Sequence, residues 1–334
     1  MSGPIVAILM DDADRLSWTD RRHLLSDSLI DDLRGRYTVR FEPRADLTND
    51  EQARVRLLEG AQACITGWGA PHFTDETVEA CPRLGFIGYA GGSVKAYICD
   101  AIVRRDIAVS SADIINAEDV SQTAIGLILT GIRGLVPRYL ESRGERLPAY
   151  PSRGISGKTV GVVGAGLIGR KVMSFVRGLD VGLLLADPFL DGSQSAELGA
   201  ELVSLDELAR RSDVISIHVP SLPETRGMFN RRFFAAMKDD AVLINTALGD
   251  LVDQRALAHR LSESRIFAYA DVIDPGQDET VLTLANFAYS PAVAGCLRDT
   301  QYRMGEFVVA EMDRFFAGEP LVNRFDFSKM AIRA

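Results

Sequence analysis

The run Thr159-Val-Gly-Val-Val-Gly-Ala-Gly-Leu-Ile-Gly-Arg170 limits what this chain can fold into more than any other stretch. Three valines around one glycine read as a buried strand, and three further glycines turn the chain into a helix. Gly164 permits the tight turn, Gly166 lets backbone approach a pyrophosphate, and Gly169 lets the helix pack closely on the strand. Leu167 and Ile168 open that helix, whose unpaired N–H groups and positive dipole end face the same point. A second apolar strand, 181–186, ends at Asp187, 23 residues after Gly164. A carboxylate there accepts hydrogen bonds from a ribose 2′-hydroxyl and repels the extra phosphate of NADP, so the pattern points to NAD. Glycines alone are a weak signal. Two strands, a helix and an acid at the expected spacing make it a strong one.

The chain has 334 residues, long for one domain and suited to two. A net charge of −9 and a pI near 5.1 leave neither a nucleic-acid groove nor an anionic membrane surface as an expected partner. The expected partner is a small molecule. Cys64, Cys81, Cys99 and Cys296 show no metal-like or redox spacing, and Cys64 and Cys99 read as buried thiols. No metal site is expected. No apolar run reaches membrane-spanning length and no leader pattern opens the chain, so a cytoplasmic location is the expectation.

Along the chain, short apolar runs alternate with helical patterns. Runs at 5–9, 37–41, 63–66, 84–87 and 107–110 read as strands, with helices at 20–33 and 49–60 between them. From 117 to 143 the pattern predicts one long, mostly apolar helix. Beyond it, strands at 160–163, 182–186, 202–203, 214–218, 241–245, 267–271 and 287–289 alternate with helices at 167–176, 205–211, 231–237 and 254–261. A last helix, 298–316, stops at Gly318 with Pro320 just beyond. Such alternation predicts an α/β protein of two lobes, each a doubly wound parallel sheet.

With these elements placed, the sequence resembles the D-isomer-specific 2-hydroxyacid dehydrogenases along essentially its whole length. Ala90-Gly-Gly-Ser-Val94 is similar to the family's loop whose backbone amides hold the substrate carboxylate, which gives Gly91, Gly92 and Ser93 that role. His218-Val-Pro-Ser-Leu-Pro-Glu-Thr225 is similar to the segment on the adenosine side of the coenzyme, bringing in His218, Val219, Pro220 and Thr225. Leu243-Ile-Asn-Thr-Ala247 and Ala270-Asp-Val272 resemble the strand ends beside the nicotinamide, so Thr246, Ala247, Leu248 and Asp271 join the coenzyme site, with Gly295. The resemblance implies a flavodoxin-like substrate domain, 1–115 with 299–334, and a Rossmann NAD-binding domain, 116–298. It also implies a homodimer with the long helix in its interface.

The catalytic positions depart from the family. The arginine that grips a 2-oxo acid is Leu248 here, the glutamate slot is Gly276, and the histidine slot after Ser-Pro is Ala292. A positioned general acid is worth ~10²–10⁴-fold in rate. Arginine's planar fork has no substitute in leucine. Replacement candidates are Lys95 as a cation or amine, His72 as an acid/base, Arg298 as a cation from a new direction, and Asp274 near the vacated glutamate slot. Each also has a bland reading, as a solvated loop end, a surface histidine, a helix-start arginine and a turn carboxylate. The expectation is an NAD(H)-binding enzyme with altered chemistry, either redox on an atypical substrate or an NAD-assisted reaction without net redox. The alternatives are a catalytically silent NAD-responsive interaction protein and, third, an ordinary 2-hydroxyacid dehydrogenase.

Overall fold

Short β-rich runs separated by capped helices build two independent parallel sheets. The computed structural model describes residues 3–10, 21–43, 45–144, 150, 152–295 and 297–330. One unit comprises the described residues up to Asn116 together with 297–330, and the other spans Ala117–Gly295.

In the first unit β1 (Ile5–Ile8), β2 (Thr38–Phe41), β3 (Ala63–Gly67), β4 (Phe86–Ala90) and β5 (Ala108–Ser111) lie in the order β2-β1-β3-β4-β5, every pair parallel. This is the flavodoxin-like order. Every residue of β3 and β4 is buried, as expected for central strands covered on both faces. In the second unit β6 (Thr159–Val163), β7 (Gly182–Ala186), β8 (Glu201–Leu202), β9 (Val214–Ile217), β10 (Val242–Asn245), β11 (Phe267–Ala270) and β12 (Phe287–Tyr289) take the order β12-β11-β10-β9-β6-β7-β8, again all parallel. The strand order reverses between β6 and β9, the Rossmann switch point.

Several sequence expectations need correction. The helix expected over 117–143 starts at Asp113 and ends at Ile132, and a second helix, Leu135–Ser142, continues at a 62° bend. The break falls at Gly134, which sits at φ +63°, where a side chain is strained. Pro137 lies in the first turn of the second helix, where its missing N–H costs nothing. The helix expected over 20–33 is two helices, Arg21–Leu24 and Asp27–Arg36, because Ser26 turns extended and its hydroxyl caps the Leu29 N–H at 3.2 Å. Residue 20 lies outside the described residues. The strand expected at 84–87 runs from Phe86 to Ala90, since pairing with β3 starts only where Phe86 faces Ala63. Cys64 and Cys81 are buried free thiols, Cys99 is only half-buried, and Cys296 lies outside the described residues. Among the described residues no single helix is long and apolar enough to cross a membrane, and no group of His, Cys, Asp or Glu is arranged to hold a metal.

The helix Arg298–Ala317 returns the chain to the first unit, where Met304, Val308, Val309 and Met312 join the core with β1, β3 and β4. Glu311 on this helix is 1% exposed and fully engaged. It accepts hydrogen bonds from Ser110 Oγ at 2.8 Å, Val322 N–H at 2.9 Å and Asn323 N–H at 2.9 Å, fastening the segment after the helix to β5. Replacing it leaves the buried Ser110 hydroxyl and two part-buried N–H groups unpaired. Glu311→Ala should therefore lower unfolding free energy by about 1–3 kcal/mol and make the segment 319–325 cleavable in limited proteolysis.

Candidate functional site

The second unit concentrates its polar chemistry at the carboxyl ends of its strands. Gly164 follows β6 at φ +93°, and a Cβ there would lie 2.7 Å from the carbonyl oxygen of His218, the residue after β9. The two strand ends therefore meet backbone to backbone at the switch point. A Cβ on Gly169 would lie 2.0 Å from the Gly164 carbonyl oxygen, so the helix Leu167–Val176 also presses directly on the loop. Gly166 differs from both, because a Cβ there would meet no atom within 4 Å. Two glycines serve packing, and the third leaves open space in front of a helix N-terminus, the cradle a phosphate requires. Leu167 is exposed beside this opening and Ile168 is half-buried.

Asp187 ends β7 and completes the cradle. One carboxylate oxygen accepts the Ala165 N–H at 2.8 Å and the other the Phe189 N–H at 2.9 Å, which pins the acid against the glycine loop. Arg170 fixes the loop from the helix side through Nε on the Ala165 carbonyl at 2.8 Å. His218 bonds through Nε2 to Ser216 Oγ at 2.8 Å, while its Nδ1 is buried without a partner. Burial pushes its pKa down to about 3, so the ring is neutral near pH 7. Thr246, just past β10, is buried with Oγ1 unpartnered. Two orphaned polar atoms at the ends of adjacent strands, beside an open glycine cradle and a fixed acid, suit a dinucleotide. Thr225 behaves differently. Its hydroxyl donates to the Pro220 carbonyl at 2.6 Å and accepts the Leu222 N–H at 2.8 Å, so it folds its own turn, with Val219 packed near Gly164.

The loops that carry Leu248, Gly276 and Ala292 are equally fixed in their backbone. Asn245 accepts the Ala247 N–H and donates to the Leu248 carbonyl, both at 3.0 Å. Gly249 is jammed against Ile273 and Asp274, leaving 2.3 Å for a Cβ. Leu248 thus has one backbone setting, and its side chain is 50% exposed. Asp274 is consumed by its turn: its carboxylate accepts the Gly276 N–H at 3.0 Å and Gln277 Nε2 at 3.2 Å, and its own N–H donates to Gln254 Oε1. Asp250 takes Ser221 Oγ and, at 3.2 Å, Arg226 Nε. Buried Asp271 organises the next loop, accepting Ser290 Oγ at 2.8 Å, Val293 N–H at 3.0 Å and Ala294 N–H at 3.1 Å. That cradle holds Ala292 at φ +55°, left-handed and uncommon for a residue with a Cβ, with half-buried Gly295 completing the loop.

In the first unit the loop after β4 is equally tight. Gly91 lies on the Tyr89 ring and Gly92 on the Asn116 amide, leaving 2.6 and 2.9 Å for a Cβ. Ser93 is exposed, and Lys95 starts the short turn Lys95–Tyr97. His72 is exposed and stacks on Tyr97 at 4.6 Å, and Tyr97 stacks on Tyr89 at the same distance. Burial raises the pKa of both tyrosines. Arg298 is exposed at the start of its helix, the end where the dipole disfavours a cation. The structure thus groups Gly91, Gly92, Ser93, Lys95 and His72 in one unit and the coenzyme candidates with Leu248, Asp274, Gly276 and Ala292 in the other. Sequence reasoning missed Asn245, Gln254 and Arg170. Asn245, a polar residue ending an apolar strand, carried a legible signal, and Gln254 carried none.

The sequence profile of the D-isomer specific 2-hydroxyacid dehydrogenase NAD binding domain matches residues 125–294, half of the chain. A D-3-phosphoglycerate dehydrogenase from Archaeoglobus fulgidus is 31% identical over 255 residues, covering 74% of this chain and 48% of that protein. A glyoxylate reductase from Korarchaeum cryptofilum is 31% identical over 73% of this chain and 76% of that one. The holo D-mandelate dehydrogenase structure from Rhodotorula graminis superimposes with a TM-score of 0.79 at 25% identity, over 97% of this chain and 98% of that chain. The chain spans about half the length of the phosphoglycerate dehydrogenases it matches. It belongs to the D-isomer-specific 2-hydroxyacid dehydrogenase family, and its coenzyme is NAD.

Gly166→Ala should weaken NADH binding at least about tenfold, read by fluorescence titration, with little change in melting temperature, whereas Gly169→Ala should lower the melting temperature itself. His218 titrates near 6.5 when unfolded and about 3 when folded, so the unfolded chain binds the extra proton between these values. Stability from this group is complete above pH 6.5 and falls as the pH drops towards 3. His218→Gln should flatten that part of the stability–pH curve.

Proposed function

We propose that this protein is an NAD(H)-dependent oxidoreductase whose substrate is handled without the arginine, glutamate and histidine that the family resemblance leads one to expect. The observation that carries the reading is the contrast between an intact dinucleotide cradle and the fixed loops that present Leu248, Gly276 and Ala292. On this reading Gly164, Gly166, Leu167, Ile168 and Gly169 surround the pyrophosphate and Asp187 takes the ribose hydroxyls. His218, Val219 and Pro220, shaped by Thr225, flank the adenosine side. Thr246, Ala247, Asp271 and Gly295 line the nicotinamide. When bound, the coenzyme supplies or takes up the hydride. The chain's own contribution is orientation by backbone held in place by Asn245 and Asp271.

The names of the relatives favour a rival, ordinary reduction of a 2-oxo acid. Against it stands chemistry: no guanidinium at position 248 can fork onto a carboxylate, and no imidazole at 292 can protonate the forming alkoxide. Exposed Leu129, Leu135 and Tyr139 along the helices Asp113–Ile132 and Leu135–Ser142 support a homodimer through that face.

The test is NADH oxidation, followed by absorbance, with glyoxylate and hydroxypyruvate and with a panel of other carbonyl compounds. The native protein should be poor on the 2-oxo acids. The variant carrying Leu248→Arg, Gly276→Glu and Ala292→His should gain at least ~100-fold on them, the scale of one positioned general acid. Efficient 2-oxo acid reduction by the native protein would establish the rival. Tight NADH binding with no turnover of any carbonyl compound would leave a coenzyme-responsive binding protein.

A further inference from the structure

The loops leaving β10, β11 and β12 form one continuous stretch of the sheet's carboxyl edge, because these strands are neighbours. Residues 246–251, 271–280 and 290–295 contain Asp250, Asp271, Asp274, Asp278 and Glu279 and not one Lys, Arg or His. Among the described residues, the cations that act on these acids come from elsewhere: Arg226 pairs with Asp250 at 3.2 Å, and Arg255 acts on Asp278 at longer range. Between the acids, the same loops expose large apolar groups: Leu248 is 50% and Val293 41% exposed. Neither position can easily turn away. The carbonyl of Leu248 is held by Asn245, its neighbour Gly249 is jammed against Ile273 and Asp274, and the Val293 N–H is held by Asp271.

We infer that the substrate presents an uncharged, apolar carbonyl compound to this wall, one with no carboxylate beside the reacting carbon. The inference rests on the oxidoreductase reading above and names its substrate class. An anion approaching this edge meets acids of which only Asp250 and Asp278 face an arginine, and it finds no cation on these loops to replace its hydration. An ester or alkyl ketone carries no charge to desolvate, and its apolar substituent covers Leu248 and Val293. The departure at position 248 is then a change of specificity, and the acidic loops around it act in the same direction.

The test uses protein loaded with NAD⁺, so that a ketone binds without turnover. The probes are 4-methyl-2-oxopentanoate and its methyl ester, in which one methyl group replaces the charge beside the carbonyl. Calorimetric titration should show the ester binding at least about tenfold more tightly than the acid. Leu248→Arg, at a half-exposed position that accommodates the longer side chain, should reverse that order by strengthening acid binding. Equal or tighter binding of the acid by the native protein overturns the inference, as does failure of the ester to bind at millimolar concentration. Selective ester binding with no NADH oxidation by the same ester would instead sink the oxidoreductase reading and leave the assignment of the wall standing.

Discussion

The coenzyme unit is organised around a contact between two pieces of backbone. The His218 carbonyl occupies the place a side chain on Gly164 would need, and the Gly164 carbonyl occupies the place of one on Gly169. Through these approaches the ends of β6 and β9 and the start of the helix Leu167–Val176 become one rigid corner. Asp187 and Arg170 add polar ties to the residue between the glycines. The remaining glycine, Gly166, is then held facing open space. The site is preorganised by exclusion: side chains are absent at Gly164 and Gly169, where backbone must touch, and at Gly166, where a ligand must approach.

The same rigidity reaches the far side of the sheet, where it has a different consequence. Asn245 and Gly249 hold the chain around Leu248, and Asp271 gathers Ser290, Val293 and Ala294 around the left-handed Ala292. Side-chain identity on such loops can change while the backbone stays put, because the ties run through main-chain groups and through residues beside the changed positions. Chemistry and fold are therefore separable here. The scaffold presents Leu248 half-exposed on backbone tied through Asn245, so a substitution there changes charge and reach rather than the ties.

Much of this was legible in the sequence. The alternation of apolar runs with capped helices marks parallel sheets because both faces of such strands are buried. The fingerprint at 159–170 works because its glycines answer backbone collisions, which no other residue type relieves. The break at Gly134 was not legible. Gly126 and Gly131 lie inside the preceding helix, one with open space beside it and one under Val242, and only the third glycine takes a positive φ. Local sequence does not distinguish these three environments. Thr225 shows the same limit at the site, since its sequence motif does not reveal that its hydroxyl closes a turn. The sequence leaves Asp274 open between catalyst and turn residue, and its two carboxylate oxygens accept from Gly276 N–H and Gln277 Nε2. That outcome depends on Gln254, which lies on another helix and carries no sequence signal.

On the function proposed above, dinucleotide binding is retained while the groups that grip and protonate a 2-oxo acid are gone. The most direct measurement is a crystal structure of the protein with NAD⁺ bound. The account predicts the pyrophosphate over Gly166, the ribose hydroxyls on Asp187, and Leu248, Ala292 and Val293 along the nicotinamide with no guanidinium or imidazole at its reactive carbon. An arginine and a histidine supplied from other positions and converging on that carbon would contradict it.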